Sequence, residues 1–509
     1  MALVDDDSVE VGGAVPSSLE AALVVISMQS TQLAEQSTRL AEQSTQLAEQ
    51  REEIAGLRKQ LAELMEVVGR NSRNSNLPPS SDGPASGGGG KEGLRRRKSQ
   101  RTRGGQKGHR GSCRALLPEA QVDCVVDLFP EACQGCARPL PREQDGEARR
   151  YQQLELVDHR PHLTEWRRHS VQCGHCRVST RAAYDLAVLP RSAFGSHLTA
   201  CVALLTGAYH LSRRKTQKLL QELFGIHVSL GAVSSMERRA AEALAQCHDE
   251  ALREVQSALV KHTDATSWVR AGKLLSLWVL ASTAVTVYKV LEDGRMTTIR
   301  PLFGHIRGIL VSDRATVFTF WKMSRRQVCH AHLLRKYVAF SERDGPAGLL
   351  GRQLLECTWL LFEYWHGYKE GLLTRRELRF WMRPLQRAIE QLLRRAEKAN
   401  IRGMSGSCAD ILAHRDALWT FLSCEGVEPT NNHAELELRD FVLWRKQSYG
   451  TQSERGDRFA ERVMTVVHTL RKQNKNVLDF LDRSLSASLQ GRPGPELLGA
   501  GLSASTPRS

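Results

Sequence analysis

No run of apolar residues in this chain approaches the ~20 that a membrane-spanning helix requires. The longest early candidate, Ala21 to Met28, is far too short, and Asp5, Asp6 and Asp7 stand where a secretory leader would be basic. Cysteine is sparse too. Twelve in 509 residues make no disulfide scaffold. Eight stand singly (Cys113, Cys124, Cys201, Cys247, Cys329, Cys357, Cys408, Cys424), as buried free thiols do in a reducing compartment. These absences predict a cytoplasmic protein with no membrane span. Acids are also outnumbered, with 56 Asp and Glu against 71 Lys and Arg, a net charge of +15 and a pI near 9.4. Such a field attracts polyanions, nucleic acid first, with an anionic membrane surface as the competing partner.

What is present divides along the chain into several domains. In residues 20–70, Gln29-Ser30-Thr31-Gln32-Leu33-Ala34-Glu35 recurs with period seven and aligns Leu33, Leu40, Leu47, Ile54 and Leu61. Ser30, Ser37 and Ser44 make a weak partner seam, until the spacing tightens to Ile54, Leu57, Leu61, Leu64 and Val68. The pattern predicts a coiled coil that joins copies of the chain, the alternative being one amphipathic helix lying on its own protein. Residues 71–111 read as a linker and an arm. Asn71 to Gly90 is dominated by Asn, Ser, Pro and Gly and cannot form a core. Lys91, Arg95, Arg96, Arg97, Lys98, Arg101, Arg103, Lys107 and Arg110 then face one acid, Glu92. That arm suits the neutralisation of phosphates; the alternative is a solvated tail.

Residues 112–190 contain two C-x-x-C pairs, Cys133/Cys136 and Cys173/Cys176. Each brackets a tight turn that presents two thiolates, so the four predict a structural Zn²⁺ in a zinc ribbon, with redox chemistry as the rival. Alternation around Gln153 to Val157 predicts a strand between the pairs. In residues 195–250 an apolar helical stretch from Leu198 to Tyr209 precedes two helices, capped by Ser212 and Ser229 and joined by a turn containing Gly225. This resembles a helix-turn-helix, though many helical hairpins look alike.

From residue 255 to 484 strands are predicted at Leu259 to Asp264, Leu275 to Ala281, Val285 to Val290 and Ile309 to Ser312. A helical insertion at about 333–425 and a basic amphipathic helix from Asp457 to Gln473 follow, and residues 485–509 read as a disordered tail. The chemistry centres on three acids. Asp264 lies on the first strand, Asp313 ends the fourth, and Glu435 opens a helix after Pro429-Thr430-Asn431-Asn432, amid basic residues. Two divalent ions that cleave a phosphodiester need hard oxygen ligands of this kind. With 56 acids present, however, Asp313 could simply cap a helix and Glu435 could be one exposed acid among many.

The same residues resemble the IS66 family of insertion-sequence transposases, over most of the chain and in the same order. Asn74-Ser75 with Pro78-Pro79-Ser80-Ser81-Asp82 is similar to that family's linker, and Gly104 to Gly111 is similar to its Gly-Gly-Gln-x-Gly-His-x-Gly arm. The paired C-x-x-C motifs, Val311-Ser312-Asp313-Arg314 and Thr430-Asn431-Asn432-x-Ala434-Glu435 match further blocks. The chain departs from the pattern at Ala265, His330 and Leu436. The resemblance implies a multidomain α+β protein: an N-terminal coiled coil, a zinc ribbon, a helical DNA-binding region and a ribonuclease-H-like catalytic domain. It implies a DDE transposase that binds Mg²⁺ (or Mn²⁺) through Asp264, Asp313 and Glu435, with Cys329 and His332 supporting the site. Its DNA partners would be the element's terminal inverted repeats and the target, in the bacterial nucleoid. Arg439, Arg445 and Lys446, with Arg455 and Arg458, would hold the DNA backbone. The alternative is a DNA-binding regulator or an inactive remnant.

Overall fold

The computed structural model describes residues 19–68, 116–143, 148–156, 161–183 and 192–499. The linker, the basic arm with all nine of its cations, and residues 500–509 lie outside them. The chain forms two compact units, Met1–Gly87 and Gly88–Ser509.

In the first unit α1 (Leu19–Val68) is one helix of 50 residues. Its serine seam is satisfied within the helix itself. The Ser30, Ser37 and Ser44 hydroxyls donate to the carbonyls of Ser27, Ala34 and Ala41 at 2.8–2.9 Å. Leu33, Leu40, Leu47 and Ile54 remain exposed.

The second unit begins with turns and one small hairpin, β1 (Ser170–Gln172) and β2 (Ser179–Arg181), around the second cysteine pair. The strand predicted around Gln153 is not formed: residues 151–156 are irregular, and Leu154 and Leu156 are exposed. Alternation without a partner edge or a covering layer cannot hold a strand.

Four helices follow: α2 (Ser196–Thr206), α3 (Arg213–Phe224), α4 (Leu230–Ala243) and α5 (Ala245–Ser257). Both predicted caps are present, Ser212 accepting from the Lys215 amide at 3.2 Å and Ser229 from the Ala232 amide at 3.0 Å. Gly225 takes a left-handed φ of 64° to end α3. These helices are not detached. Ala200, Ala240, Leu244, Ala251 and Val255 belong to the same core as the sheet that follows.

That sheet has β3 (Val260–Arg270), β4 (Lys273–Ala281), β5 (Thr286–Leu291), β6 (Ile309–Ser312) and β7 (Arg326–Val328), in the spatial order β5-β4-β3-β6-β7. The β3–β4 turn is Ala271-Gly272 with φ of 47° and 83°, the two left-handed residues that a tight hairpin needs. β6 and β7 run parallel to β3 and to one another, and α6 (Met296–Ile299) lies in the crossover to β6. β7 was not foreseen, because three residues carry no period.

Between β7 and the last three helices lie α7 (His330–Ser341), α8 (Gly345–Lys369), α9 (Arg375–Lys398), α10 (Ser405–Ala413) and α11 (Thr420–Ser423). A turn ends α8, and Thr374 with Glu377 forms a capping box that starts α9 afresh. α12 (Asn432–Ser448), α13 (Glu454–Lys472) and α14 (Val477–Leu489) complete the chain. α13 is the expected amphipathic helix, with its apolar face (Val463, Met464, Val466, Val467 and Leu470) buried in the core. One expectation is corrected here. The tail is ordered to residue 499: Leu485 and Leu497 are buried, and the amides of Leu497 and Leu498 donate to Glu250 of α5 at 3.1 and 2.9 Å. Those contacts bridge about 250 residues of chain, so no local signal announces them.

Candidate active site

Asp264 lies in mid-strand, since β3 continues to Arg270. The parallel register pairs His262 with Val311. Asp264 stands two residues beyond that pair on β3, and Asp313 follows directly on the last residue of β6. The Asp264 carboxyl accepts from the Ala265 amide at 2.9 Å, and that of Asp313 from the Ala315 amide at 3.0 Å. Burial, with Asp313 and Glu435 adding negative charge, pushes the Asp264 carboxyl up to about 7. Behind Asp313 the fully buried Arg326 donates to its carbonyl at 3.0 Å and to Ser312 Oγ at 3.3 Å, fixing the end of β6.

Glu435 sits in the first turn of α12. Asn431, just before that helix and wholly buried, locks its entry. Its side-chain amide donates to the Thr263 carbonyl at 2.8 Å, its backbone N–H to Cys329 Sγ at 3.1 Å, and its carbonyl accepts from the Glu435 amide at 3.2 Å. One residue thus ties the Glu helix both to the Asp264 strand and to α7.

The far face of α12 is held as firmly. Burial raises the Glu437 carboxyl, but His468 at 2.6 Å and Lys472 at 2.9 Å outweigh it and hold it at about 2. The Tyr288 hydroxyl donates to the Glu437 carbonyl at 2.8 Å.

The structure also brings Cys329 and His332 to Glu435. Their ligand atoms, with a Glu435 oxygen, all lie within 4.8 Å of one another. Arg335, one turn beyond His332, donates to Glu435 Oε2 at 3.2 Å, while His332 Nδ1 stands 3.5 Å from Glu435 Oε1. Arg335 and Asn431 were given no role from sequence. The signal for Arg335 was there, because Cys329, His332 and Arg335 are spaced i, i+3, i+6 and share a helical face.

The C-x-x-C pairs form matching turns. Cys133 and Cys173 each accept from the amide four residues on, at 2.8 and 2.9 Å, and Ala137 and Arg177 each take a left-handed φ. Backbone N–H groups inside each turn hold the first thiol below its ordinary value. The donor chemistry fits zinc. The placement does not gather one shell: among the described residues the single metal-ligand group of three or more is Cys329/His332/Glu435.

The basic residues divide. Arg439 and Lys446 are exposed on α12, whereas Arg445 reaches back to Thr266 Oγ1 at 3.3 Å and to Ser267. Arg455 donates to Ser234 at 2.9 Å, and Arg458 lies 3.7 Å from Glu454. α9 was overlooked. It carries eight Arg and Lys against three Glu, and exposes Phe380 and Trp381. Among the described residues no helix is long and apolar enough to cross a membrane.

A family model described as "Transposase IS66 family" matches residues 191–458, which include Asp264, Asp313, Cys329, His332 and Glu435. A second, described as a "Family of unknown function (DUF6444)", matches residues 28–115. No curated protein matches the chain.

Proposed function

The chain belongs to the IS66 transposase family, and on that premise we propose that it is a DDE-type enzyme cutting and joining DNA at the terminal inverted repeats of its element. The observation that supports the reading is that Asp313, just after β6, and Glu435 on α12 both act on the charge of Asp264 on β3. The strand order, three antiparallel strands followed by two parallel ones, supports a ribonuclease-H-like catalytic domain.

The donors fit a pair of hard divalent cations. Asp313 and Glu435 both act on the charge of Asp264, and Glu435 Oε1 is a buried oxygen with no hydrogen-bond partner. Asp264, Asp313 and Glu435 would hold Mg²⁺ or Mn²⁺, which when bound activates the attacking oxygen and stabilises the leaving one. The protein's own part is positional. β3 and β6 hold two acids in register, Asn431 and Glu437 fix the helix bearing the third, and Arg335 neutralises Glu435 meanwhile. Arg439, Lys446 and the exposed basic face of α9 would track the phosphate backbone, with the arm at residues 91–111 adding sequence-independent affinity. The coiled coil would pair protomers through its uncovered leucines. The two cysteine turns would together hold one structural zinc.

The test is divalent-dependent nicking and strand transfer on a duplex bearing the element's ends. Asp264→Asn, Asp313→Asn and Glu435→Gln should each abolish transfer and leave binding to end DNA intact. Full transfer by any one variant removes that residue from the site. Binding without nicking by the unaltered protein leaves only a DNA-binding regulator.

A further inference from the structure

Three ligand types of differing softness meet beside the acidic site. Cys329 is wholly buried at the start of α7, its Sγ accepting the Asn431 N–H at 3.1 Å, with the Ala331 and His332 amides directed at the same sulfur. Burial outweighs these N–H groups and pushes the thiol up to about 11, so the sulfur keeps its proton until a metal displaces it. His332 Nδ1 and Glu435 Oε1 are both buried without a hydrogen-bond partner and stand 3.5 Å apart. In a tetrahedral zinc shell, bond lengths of about 2.0–2.3 Å place neighbouring ligand atoms roughly 3.3–3.7 Å apart. The nitrogen–oxygen pair is already there, and the sulfur, within 4.8 Å of both, needs to close by on the order of 1 Å.

We propose that Cys329 Sγ, His332 Nδ1 and Glu435 Oε1 form a binding site for a zinc-class transition metal, separate in chemistry from the all-oxygen Mg²⁺ pair. Three protein ligands leave the fourth position for water. The ion would join α7 to α12, and it would act on Glu435 through one oxygen while Oε2 keeps Arg335 or turns to the other acids. Binding displaces one proton, from the Cys329 thiol to solvent; imidazole and carboxylate bind as they are. The site shares Glu435 with the proposed catalytic triad, yet its geometry stands without Asp264 and Asp313.

The experiment uses the full chain with Cys133, Cys136, Cys173 and Cys176 changed to Ser, so that the knuckles contribute no thiolate. Metal content is counted after zinc loading and dialysis, and Co²⁺ replaces zinc to report thiolate ligation by its charge-transfer band. One ion per protomer and a thiolate band are expected, both lost in Cys329→Ser and the ion weakened at least tenfold in His332→Gln. Circular dichroism checks that each variant folds. A folded parent that retains no zinc, or a cobalt band unchanged in Cys329→Ser, overturns the site. Asp264→Asn should keep the ion while losing strand transfer. If it instead transfers strands normally, the catalytic reading fails and the zinc result stands.

Discussion

Asp313, the residue that follows β6, adds its negative charge to that of Asp264 within the neighbouring parallel strand β3, two residues beyond the His262–Val311 pair. Because Asp264 sits among like charges and burial has already pushed its carboxyl up to about 7, the free protein carries electrostatic strain there. Neutralising that charge should stabilise the fold. Mg²⁺ or Mn²⁺ is expected to raise the melting temperature of the native sequence by several degrees, and that of Asp264→Asn far less. Equal shifts in the two proteins would place the bound ion elsewhere.

Near His468, pH should be felt with a definite sign. Burial lowers its imidazole, but hydrogen bonds to Asp440 and Glu437 outweigh that and hold the pKa above the ordinary 6.5. A group raised on folding stabilises below its unfolded pKa and loses that contribution as pH climbs through its folded value. His468→Gln should therefore cost the most near pH 6, roughly 2 kcal/mol, and progressively less in more alkaline buffer. Urea titrations at several pH values read this directly; a penalty that grows with pH would contradict it.

Gly308 and Gly272 make a controlled comparison, since both hold a left-handed φ (74° and 83°). A Cβ at Gly272 meets open space, whereas at Gly308 it would collide with the Leu259 carbonyl that receives the Ile309 amide at 2.7 Å. Gly272→Ala should cost about 1 kcal/mol. Gly308→Ala should cost about 3 kcal/mol and, by displacing β6 from β3, also depress strand transfer. Denaturant midpoints and transfer assays on both variants decide it.

The basic arm predicts a salt signature. Deleting residues 91–111 removes nine cations, so the fall of log affinity with log salt should become shallower by several units of slope. Filter binding across a salt series measures this, and an unchanged slope would assign the phosphate contacts to other surfaces.

Much of the organisation was legible in the chain. The heptads, the caps at Ser212 and Ser229, the hairpin strands and the helical insertion each rest on spacing within a few residues. Asp264, Asp313 and Glu435 could be singled out only because motif blocks surrounded them, as nothing in their spacing says that residues 49 and 122 positions apart meet. The errors share a cause. The alternation at Gln153 lacks a sheet to join, β7 is too short to show a period, and the tail after Ser484 is ordered by Glu250 and by burial of Leu497.

Local pattern alone determined most of the helices, strands and cysteine turns, because capping and period act over one or two turns of chain. Only the folded arrangement decided that Arg335, Asn431, Cys329 and His332 gather around Glu435 and that Arg445 turns inward. Those outcomes depend on which faces of distant elements bury one another, a choice made by the whole core and written at no single position.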